Sequence, residues 1–294
     1  MNKYDKIEMR ENIMKTFVFD LDGTLLNSNS EISKKNIEAM KMIIQSKNQL
    51  ILASGRMLIS MKKIIDKYIP FIKGISPIIS YNGAYIIDEK DKLIYESIID
   101  KQVAVDLINH LRNIKSHRQI YVKDVLISEE ENDFIEFYSK HANVDYKIVK
   151  DLNDFIMQKD NDPLKILCID DELKIREIEN EIQNKFSNKL NIVLSFKNFL
   201  DIMSKEASKG NAIKKISKIY NINFEQLYVF GDSNNDISMF EITNNSFTLN
   251  NANKNVKSAA KHILPSNDED GVYYAVKKIL NDDNNFDDWI DHQS

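Results

Sequence analysis

The sequence predicts an α/β protein built on an open parallel sheet, with an α+β unit inserted into it. Three observations point there. Strand-like and helix-like segments alternate from Thr16 to about Ser80. The alternation stops in the middle of the chain and returns from Ala207. The stretches "FVFDLDGTLL" (Phe17–Leu26) and "GDSNND" (Gly231–Asp236) each end a strand in carboxylates, at the edge where open α/β sheets hold their ligands.

Taken in order, "TFVFD" reads as a short buried strand closed by the turn signal Asp22-Gly23. A helical pattern from Glu31 to Lys47 follows, with Ile37, Met40, Ile43 and Ile44 on one face. Next come the strand "QLILAS", a helix carrying Met61, Ile64, Ile65 and Tyr68, and the strand "SPIIS". This β-α-β-α-β order implies parallel strands joined by right-handed crossovers. "YNGAYIID" and "KLIYES" form a hairpin leading out of that sheet.

The middle has a different character. A helix from Lys101 to Ile114 precedes a single predicted strand, "QIYVKDVLIS". The polar-aromatic stretch "DFIEFYSKHA" follows; its Phe134, Phe137 and Tyr138 sit at helical spacing and are read as core packing rather than a substrate cage. The strand "PLKILCID", a helix bearing Ile175, Ile178, Ile182 and Phe186, and the strand "NIVLSF" complete the unit.

From Ala207 the pattern runs helix ("GNAIKKISKIY"), strand ("LYVFGD"), short helix ("DISMF"), strand ("SFTLN"), strand ("AKHIL") and helix ("GVYYAVKKIL"). The end, "NDDNNFDDWIDHQS", is expected to fray, with Trp289 and Ile290 as its anchor. The expected organisation is a Rossmann-like parallel-sheet core, residues 1–86 and 193–294, with an inserted α+β cap domain over residues 87–192.

Composition narrows the function classes. At 294 residues the chain accommodates about two domains with proper cores. With 43% hydrophobic and 29% charged residues it is globular rather than disordered. A formal net charge of −5, with lysines interleaved among acids, gives no basic field for nucleic acid or an anionic membrane. The apolar runs are too short to cross a bilayer, and the start "MNKYDKIEMRENIMK" has no stretch of signal-peptide type. The stretch ahead of Lys15 is expected to be dispensable. The single cysteine, Cys168 in "LKILCID", excludes an internal disulfide and a Cys-based zinc site, and reads as a small core residue. His110, His117, His141, His262 and His292 show no ligand spacing and are read as surface or structural. A cytoplasmic protein is the expectation, with oligomeric state not set by the sequence.

The chemistry lies in four places where a strand ends or a helix begins: Asp20-x-Asp22-Gly23-Thr24, Ser54-Gly55-Arg56, Lys209-Gly210 and Gly231–Asp236. Side chains two apart in extended chain point the same way, so Asp20 and Asp22 repel and need a compensating partner, for which a bound cation is the natural candidate. Asp20, Asp22 and Asp232 offer oxygen ligands of the kind Mg2+ prefers. A carboxylate attacks phosphorus only once the phosphate is neutralised, which the metal and Lys209 supply, while the Ser54 hydroxyl and loop N–H groups place the equatorial oxygens. A second acid near the nucleophile protonates the leaving oxygen. The bland alternatives are a strand-end turn for Asp20-Asp22, a helix cap for Ser54, a surface role for Lys209 with Lys205 as its competitor, and a turn role for Asn82.

"DLDGT", Ser54, Lys209 and "GDSNND" resemble, in order and separation, the four motifs of the haloacid dehalogenase superfamily. "YNGA" at 81–84, the insertion between the second and third motifs, and "SNDEDGV" at 266–272 resemble its Cof-type phosphatases, which carry a large α/β cap. The resemblance implies that Asp20 is the nucleophile forming an aspartyl-phosphate. It implies that Asp22 is the general acid/base and offers its backbone carbonyl to Mg2+. Ser54 and Lys209 would bind the phosphoryl group and Asp232 the metal, with Asp236 behind it. Asn235 would contact phosphate, and Leu21 and Gly55 would give it backbone N–H groups. Arg56 and Asn82 join as substrate-binding candidates from their places in these motifs. One segment departs from the pattern: "LNNA" places Asn250 where the family has glycine.

The implied function is a Mg2+-dependent phosphatase of small phosphorylated metabolites, sugar phosphates foremost. The alternatives are a phosphomutase of the same fold and, from another class, a receiver or non-catalytic phosphate-binding module. Keeping both Asp20 and Asp22 argues against the last, since a receiver needs no leaving-group acid. A membrane ATPase is excluded by the missing spans.

Overall fold

The computed structural model describes residues 13–282 and Phe286. The charged start before residue 13, the expected anchors Trp289 and Ile290, and His292 lie outside these described residues. In chain order the elements are β1 (Thr16–Phe19), α1 (Lys34–Gln45), β2 (Gln49–Ala53), α2 (Leu58–Tyr68), β3 (Ile78–Ser80), β4 (Tyr85–Ile87), β5 (Leu93–Glu96), α3 (Lys101–Asn113), β6 (His117–Val122), β7 (Val125–Ser128), α4 (Asp133–Ala142), β8 (Tyr146–Ile148), α5 (Leu152–Met157), β9 (Lys165–Ile169), α6 (Glu172–Phe186), β10 (Leu190–Phe196), β11 (Phe199–Ser204), α7 (Lys209–Ile216), β12 (Leu227–Phe230), α8 (Ile237–Phe240), β13 (Asn245–Leu249), α9 (Lys254–Ala259), β14 (His262–Leu264) and α10 (Gly271–Leu280).

Two sheets result. The first has the order β14-β13-β12-β1-β2-β3-β4-β5. Its strands from β14 to β3 pair in parallel, and β4 and β5 close one edge as an antiparallel hairpin. β1 lies in the centre and is buried on both faces, which is why it reads as an unbroken apolar run. The two-residue period sorts its side chains. Phe17 and Phe19 stack on Tyr228 and Phe230, centroids 5.3 and 4.7 Å apart, in the core under α1 and α10. Val18 turns to the opposite core with Ile51, Ala53 and Ile213.

The second sheet has the order β10-β11-β9-β6-β7-β8 and is antiparallel except for the β7–β8 pair. One face is covered by α3, α5 and α6; the other, with α4, packs Tyr121, Leu167 and Met203 against Met57, Tyr81 and Ala84 of the first sheet's loops. Glu129 ties four pieces of this unit together. It accepts hydrogen bonds from Arg112 on α3, Arg118 on β6 and the Leu152 N–H that opens α5.

The α/β architecture with an inserted second unit matches the sequence expectation, and Cys168 is buried as expected. The expected seams at residues 87 and 192 fall elsewhere. β5 pairs with β4 in the first sheet, and β10–β11 pair with β9 in the second, so strand pairing places the unit between Glu96 and Ser204. The second unit holds more elements than expected: β8 and the short helix α5 are additions, and two further differences concern its strands. "QIYVKDVLIS" is the hairpin β6–β7, turned at Lys123-Asp124, both with positive φ (48° and 61°). β11, "FLDIMS", was not expected at all.

Candidate active site

The parallel order of β1, β2 and β12 brings their carboxyl ends to one edge, and α7 begins beside them. Asp20 follows β1 and is fixed by its N–H, which donates to the Phe230 carbonyl at 2.9 Å. Lys209 is the first residue of α7, whose cap is the Ser208 hydroxyl. Its ammonium is fully buried and donates to Asp20 Oδ1 at 2.5 Å and Asp236 Oδ1 at 2.6 Å. Burial pulls the pKa of this ammonium down, but the two carboxylates outweigh it and hold the group charged. Lys205, the competing lysine, instead donates to the Ser187 carbonyl at the surface.

The loop after β12 is shaped by Asp236. Its Oδ2 accepts the N–H groups of Asp232 and Ser233, both at 3.0 Å. Gly231 has to be glycine here, because a Cβ would lie 2.3 Å from the Asp236 carboxyl carbon. Asp232 is thereby aimed back at the β1 loop, where the Thr24 hydroxyl donates to its Oδ1 at 3.1 Å. Gly23, at φ +73°, has the same constraint, since a Cβ would meet Asp232 Oδ2 at 2.2 Å.

Asp20, Asp232 and Asp236 can each bring an oxygen within 4.8 Å of the others. One buried ammonium faces these three carboxylates. Burial, helped by the neighbouring carboxylates and opposed by the Lys209 ammonium, raises Asp20 well above the usual carboxylate range and lifts Asp232 to about 7. Such an unbalanced, oxygen-only group fits a hard divalent cation. Asp236 already accepts from the Lys209 ammonium and from two backbone N–H groups, whereas Asp20 accepts from Lys209 and Asp232 from the Thr24 hydroxyl and, at 3.4 Å, the Asn251 amide, so Asp20 and Asp232 are the less committed side chains for direct ligation.

Asp22 differs from expectation. Its carboxylate stays out of this group and is gripped by Arg56, Nη2 at 2.6 Å and Nε at 2.7 Å. The partner its charge needs is therefore an arginine of the chain itself. Arg56 is correspondingly turned toward Asp22 and Ser60, rather than being an uncommitted substrate cation. Ser54 is buried and lines the cavity; it does not cap α2, whose cap position is Met57. Asn235 and Asn82 are bonded to each other: Asn235 Nδ2 donates to Asn82 Oδ1 at 2.8 Å, and Asn82 Nδ2 donates to Asp201 Oδ2 at 2.9 Å. Asn82 thus lies one step behind the cavity wall, whereas Asn235 is on it. In the "LNNA" turn, Asn250 does not take a left-handed φ, so glycine is not required, and Asn251 donates to the Gly23 carbonyl at 2.9 Å.

A cavity of about 440 Å³ opens over Asp20, with walls from both sheets. The second unit contributes Tyr138 and His141 of α4, Lys165 of β9, and Phe199 and Asp201 of β11. His141 stacks on Phe137, and both rings meet Phe199 edge-on. Burial and the nearby Arg56 push the His141 imidazole below its ordinary pKa. Sequence spacing reads Tyr138 as core packing and His141 as surface or structural. Tyr138 does pack in the core, yet it also faces the cavity. No spacing within one segment could have shown this, because the docking of α4 over the first sheet decides it.

Comparison with known proteins agrees with this geometry. The profile of the haloacid dehalogenase-like hydrolases matches residues 17–276. A structure from Thermotoga maritima, TM0651, is 34% identical, covers 90% of this chain and 97% of its own, and superposes with a TM-score of 0.78. A haloacid dehalogenase-like hydrolase from Bacillus subtilis is 25% identical, with 90% and 99% covered and a TM-score of 0.81. The 5-amino-6-(5-phospho-D-ribitylamino)uracil phosphatase YwtE of Bacillus subtilis is 28% identical over 91% of this chain and 98% of its own length. The chain belongs to the haloacid dehalogenase-like hydrolases.

Proposed function

We propose that this hydrolase is a Mg2+-dependent phosphatase that removes phosphate from small phosphorylated metabolites, sugar phosphates foremost, through an aspartyl-phosphate on Asp20. The observation that carries the reading is the buried Lys209 ammonium, 2.5 Å from Asp20 in a cluster with Asp232 and Asp236, beneath a cavity of metabolite size. The YwtE relative, a phosphatase of a ribitylamino-linked phosphate ester by its name, supports the substrate class.

In this reading Asp20 Oδ attacks phosphorus, forming the aspartyl O–P bond as the ester O–P bond breaks. Asp22 delivers the proton to the departing oxygen and later takes one from the water that opens the aspartyl-phosphate. Lys209 neutralises the phosphoryl group, while the Ser54 hydroxyl, Asn235 and the N–H groups of Leu21 and Gly55 orient its oxygens. Mg2+, when held by Asp20 and Asp232 with the Asp22 carbonyl, supplies further neutralisation of the phosphate charge. The inserted unit acts as a cap that excludes water and selects the leaving group. The reaction takes place in the cytoplasm, on a small molecule rather than nucleic acid or membrane.

The test is a panel of phosphate esters assayed for phosphate release with and without Mg2+, on the wild type and Asp20→Asn. Mg2+-dependent release is expected, with Asp20→Asn lower by several orders of magnitude in a folded protein. A variant retaining even about a tenth of wild-type kcat would overturn the nucleophile assignment.

A further inference from the structure

The cavity wall supplied by the second sheet contains a buried charge pair that the proposed reaction does not use. Lys165 on β9 and Asp201 on β11 are diagonal neighbours across the strand pair (Lys165 lies opposite Met203 and Asp201 opposite Leu167), with side chains 2% and 4% exposed, and both line the cavity above Asp20. The ammonium donates to the Gly55 carbonyl at 3.2 Å and sits 4.7 Å over the Tyr121 ring. Asp201 Oδ2 accepts from Asn82, but Oδ1 has no hydrogen bond although it is buried. The ammonium lies 3.0 Å from Oδ1, close enough for ion pairing but outside hydrogen-bond geometry.

The ammonium is thus the counter-charge of Oδ1 without being an aligned donor to it, and a well-aligned donor at that oxygen would be a further gain. The bonds to Gly55 and Asn82 tie the second sheet to the loops of the first and occupy one N–H of the ammonium and one oxygen of the carboxylate, but they do not use Oδ1. A hydroxyl group answers both members at once, because it donates through its proton and accepts through its oxygen. The pair borders the Gly55 loop, on the side of the cavity facing the second sheet. The chemistry there suits the leaving group of an ester whose phosphate lies over Asp20.

We propose that Lys165 and Asp201 form a hydroxyl-reading subsite: a hydroxyl of the leaving group donates to Asp201 Oδ1 and accepts from Lys165 Nζ. The assignment rests on the phosphatase reading above and adds the residues that decide between polyol and alkyl leaving groups. A substrate lacking the hydroxyl leaves a buried carboxylate and ammonium unsatisfied, which is how a site rejects a deoxy analogue far more strongly than a methylene mismatch.

The test compares kcat/KM for ribitol 5-phosphate and for pentyl phosphate, with p-nitrophenyl phosphate as a hydroxyl-free activated ester. The wild type should favour the polyol over the alkyl ester by about a hundredfold or more. Asp201→Leu and Lys165→Met should each bring that ratio below about tenfold, and Asp201→Asn, which keeps an acceptor oxygen, should restore part of it. The ratio cancels any effect that reaches the phosphate through Asn82 and Asn235, since both esters carry the same phosphate. A wild-type ratio within about threefold overturns the subsite without needing any variant to fold. So does either folded variant with the wild-type ratio. Absence of Mg2+-dependent p-nitrophenyl phosphate hydrolysis would instead remove the phosphatase reading, and the subsite with it.

Discussion

Arg56 holds both carboxylate oxygens of Asp22 in a two-pronged grip, at 2.6 and 2.7 Å, and so keeps Asp22 apart from the Asp20–Asp232–Asp236 group two residues away. The grip is anchored further out. Arg56 Nη1 donates to the Ser60 hydroxyl, and that hydroxyl donates to the Ala142 carbonyl at the end of α4. A chain of contacts therefore runs from the second unit to the carboxylate assigned as general acid/base.

Arg56→Lys should test this orientation. A lysine keeps the charge but cannot reproduce the planar fork. With Asp22 less well placed, kcat should fall about tenfold to a hundredfold for alkyl phosphates, which need their leaving oxygen protonated. Aryl phosphates should lose much less. Equal losses for both ester types in pre-steady-state phosphate-transfer measurements would mean that Arg56 serves substrate binding instead.

Asp22→Asn addresses the same step from the other side. Phosphorylation of Asp20 by aryl esters should survive better than by alkyl esters, and the aspartyl-phosphate should accumulate because no base activates water. Acid-quenched protein carrying labelled phosphate is the readout. Equal slowing of phosphorylation by both esters would remove Asp22 from the acid role.

The parts of the site legible in the sequence are those in which one short segment carries both the position and the chemistry. Asp20, Asp232 and Asp236 follow strands with unbroken apolar runs, and Lys209 opens a helix, so their convergence follows from strand order alone. The second unit was harder to read. The Lys123-Asp124 turn uses two non-glycine residues at positive φ, which hides a hairpin inside one apparent strand. β11 follows β10 after a turn of only Lys197 and Asn198 and was missed, and Asp201 with it. Lys165 stood in plain view within an expected strand, but a lysine at a strand's start reads as solvated. Only pairing with β11 shows that it is buried.

Stability of the second unit should depend on Glu129. Burial favours its neutral form, but hydrogen bonds from Arg112, Leu152 and Arg118 win and hold its pKa at about 2, below the ordinary 4.5. A lowered folded-state pKa means that the stabilisation is complete above pH 4.5 and is lost as pH falls toward about 2. The shift corresponds to about 3 kcal/mol. Glu129→Gln should therefore unfold at lower urea concentration than wild type at pH 7, and the gap should shrink progressively between pH 4.5 and pH 2. A gap independent of pH would show that the arginines hold the unit through packing rather than through this charge.

Gly23→Ala is the sharpest test of the geometry around Asp232. The added Cβ would lie 2.2 Å from Asp232 Oδ2, and the backbone there has φ +73°, which an L-residue adopts only under strain. Asp232 has to move, because its carboxylate is the end of a short side chain whose own backbone N–H is tied to Asp236. A displaced Asp232 costs metal affinity first. The Mg2+ concentration for half-maximal phosphatase activity should rise about tenfold or more, while kcat at saturating Mg2+ falls less, since Asp20 and Lys209 keep their contact. Asp232→Asn should raise the Mg2+ requirement in the same direction without backbone strain, and its thermal midpoint in the absence of metal should not fall, because it removes a half-buried carboxylate crowded by Asp236. If Gly23→Ala folded normally and kept the wild-type Mg2+ dependence, Asp232 would not be a metal ligand.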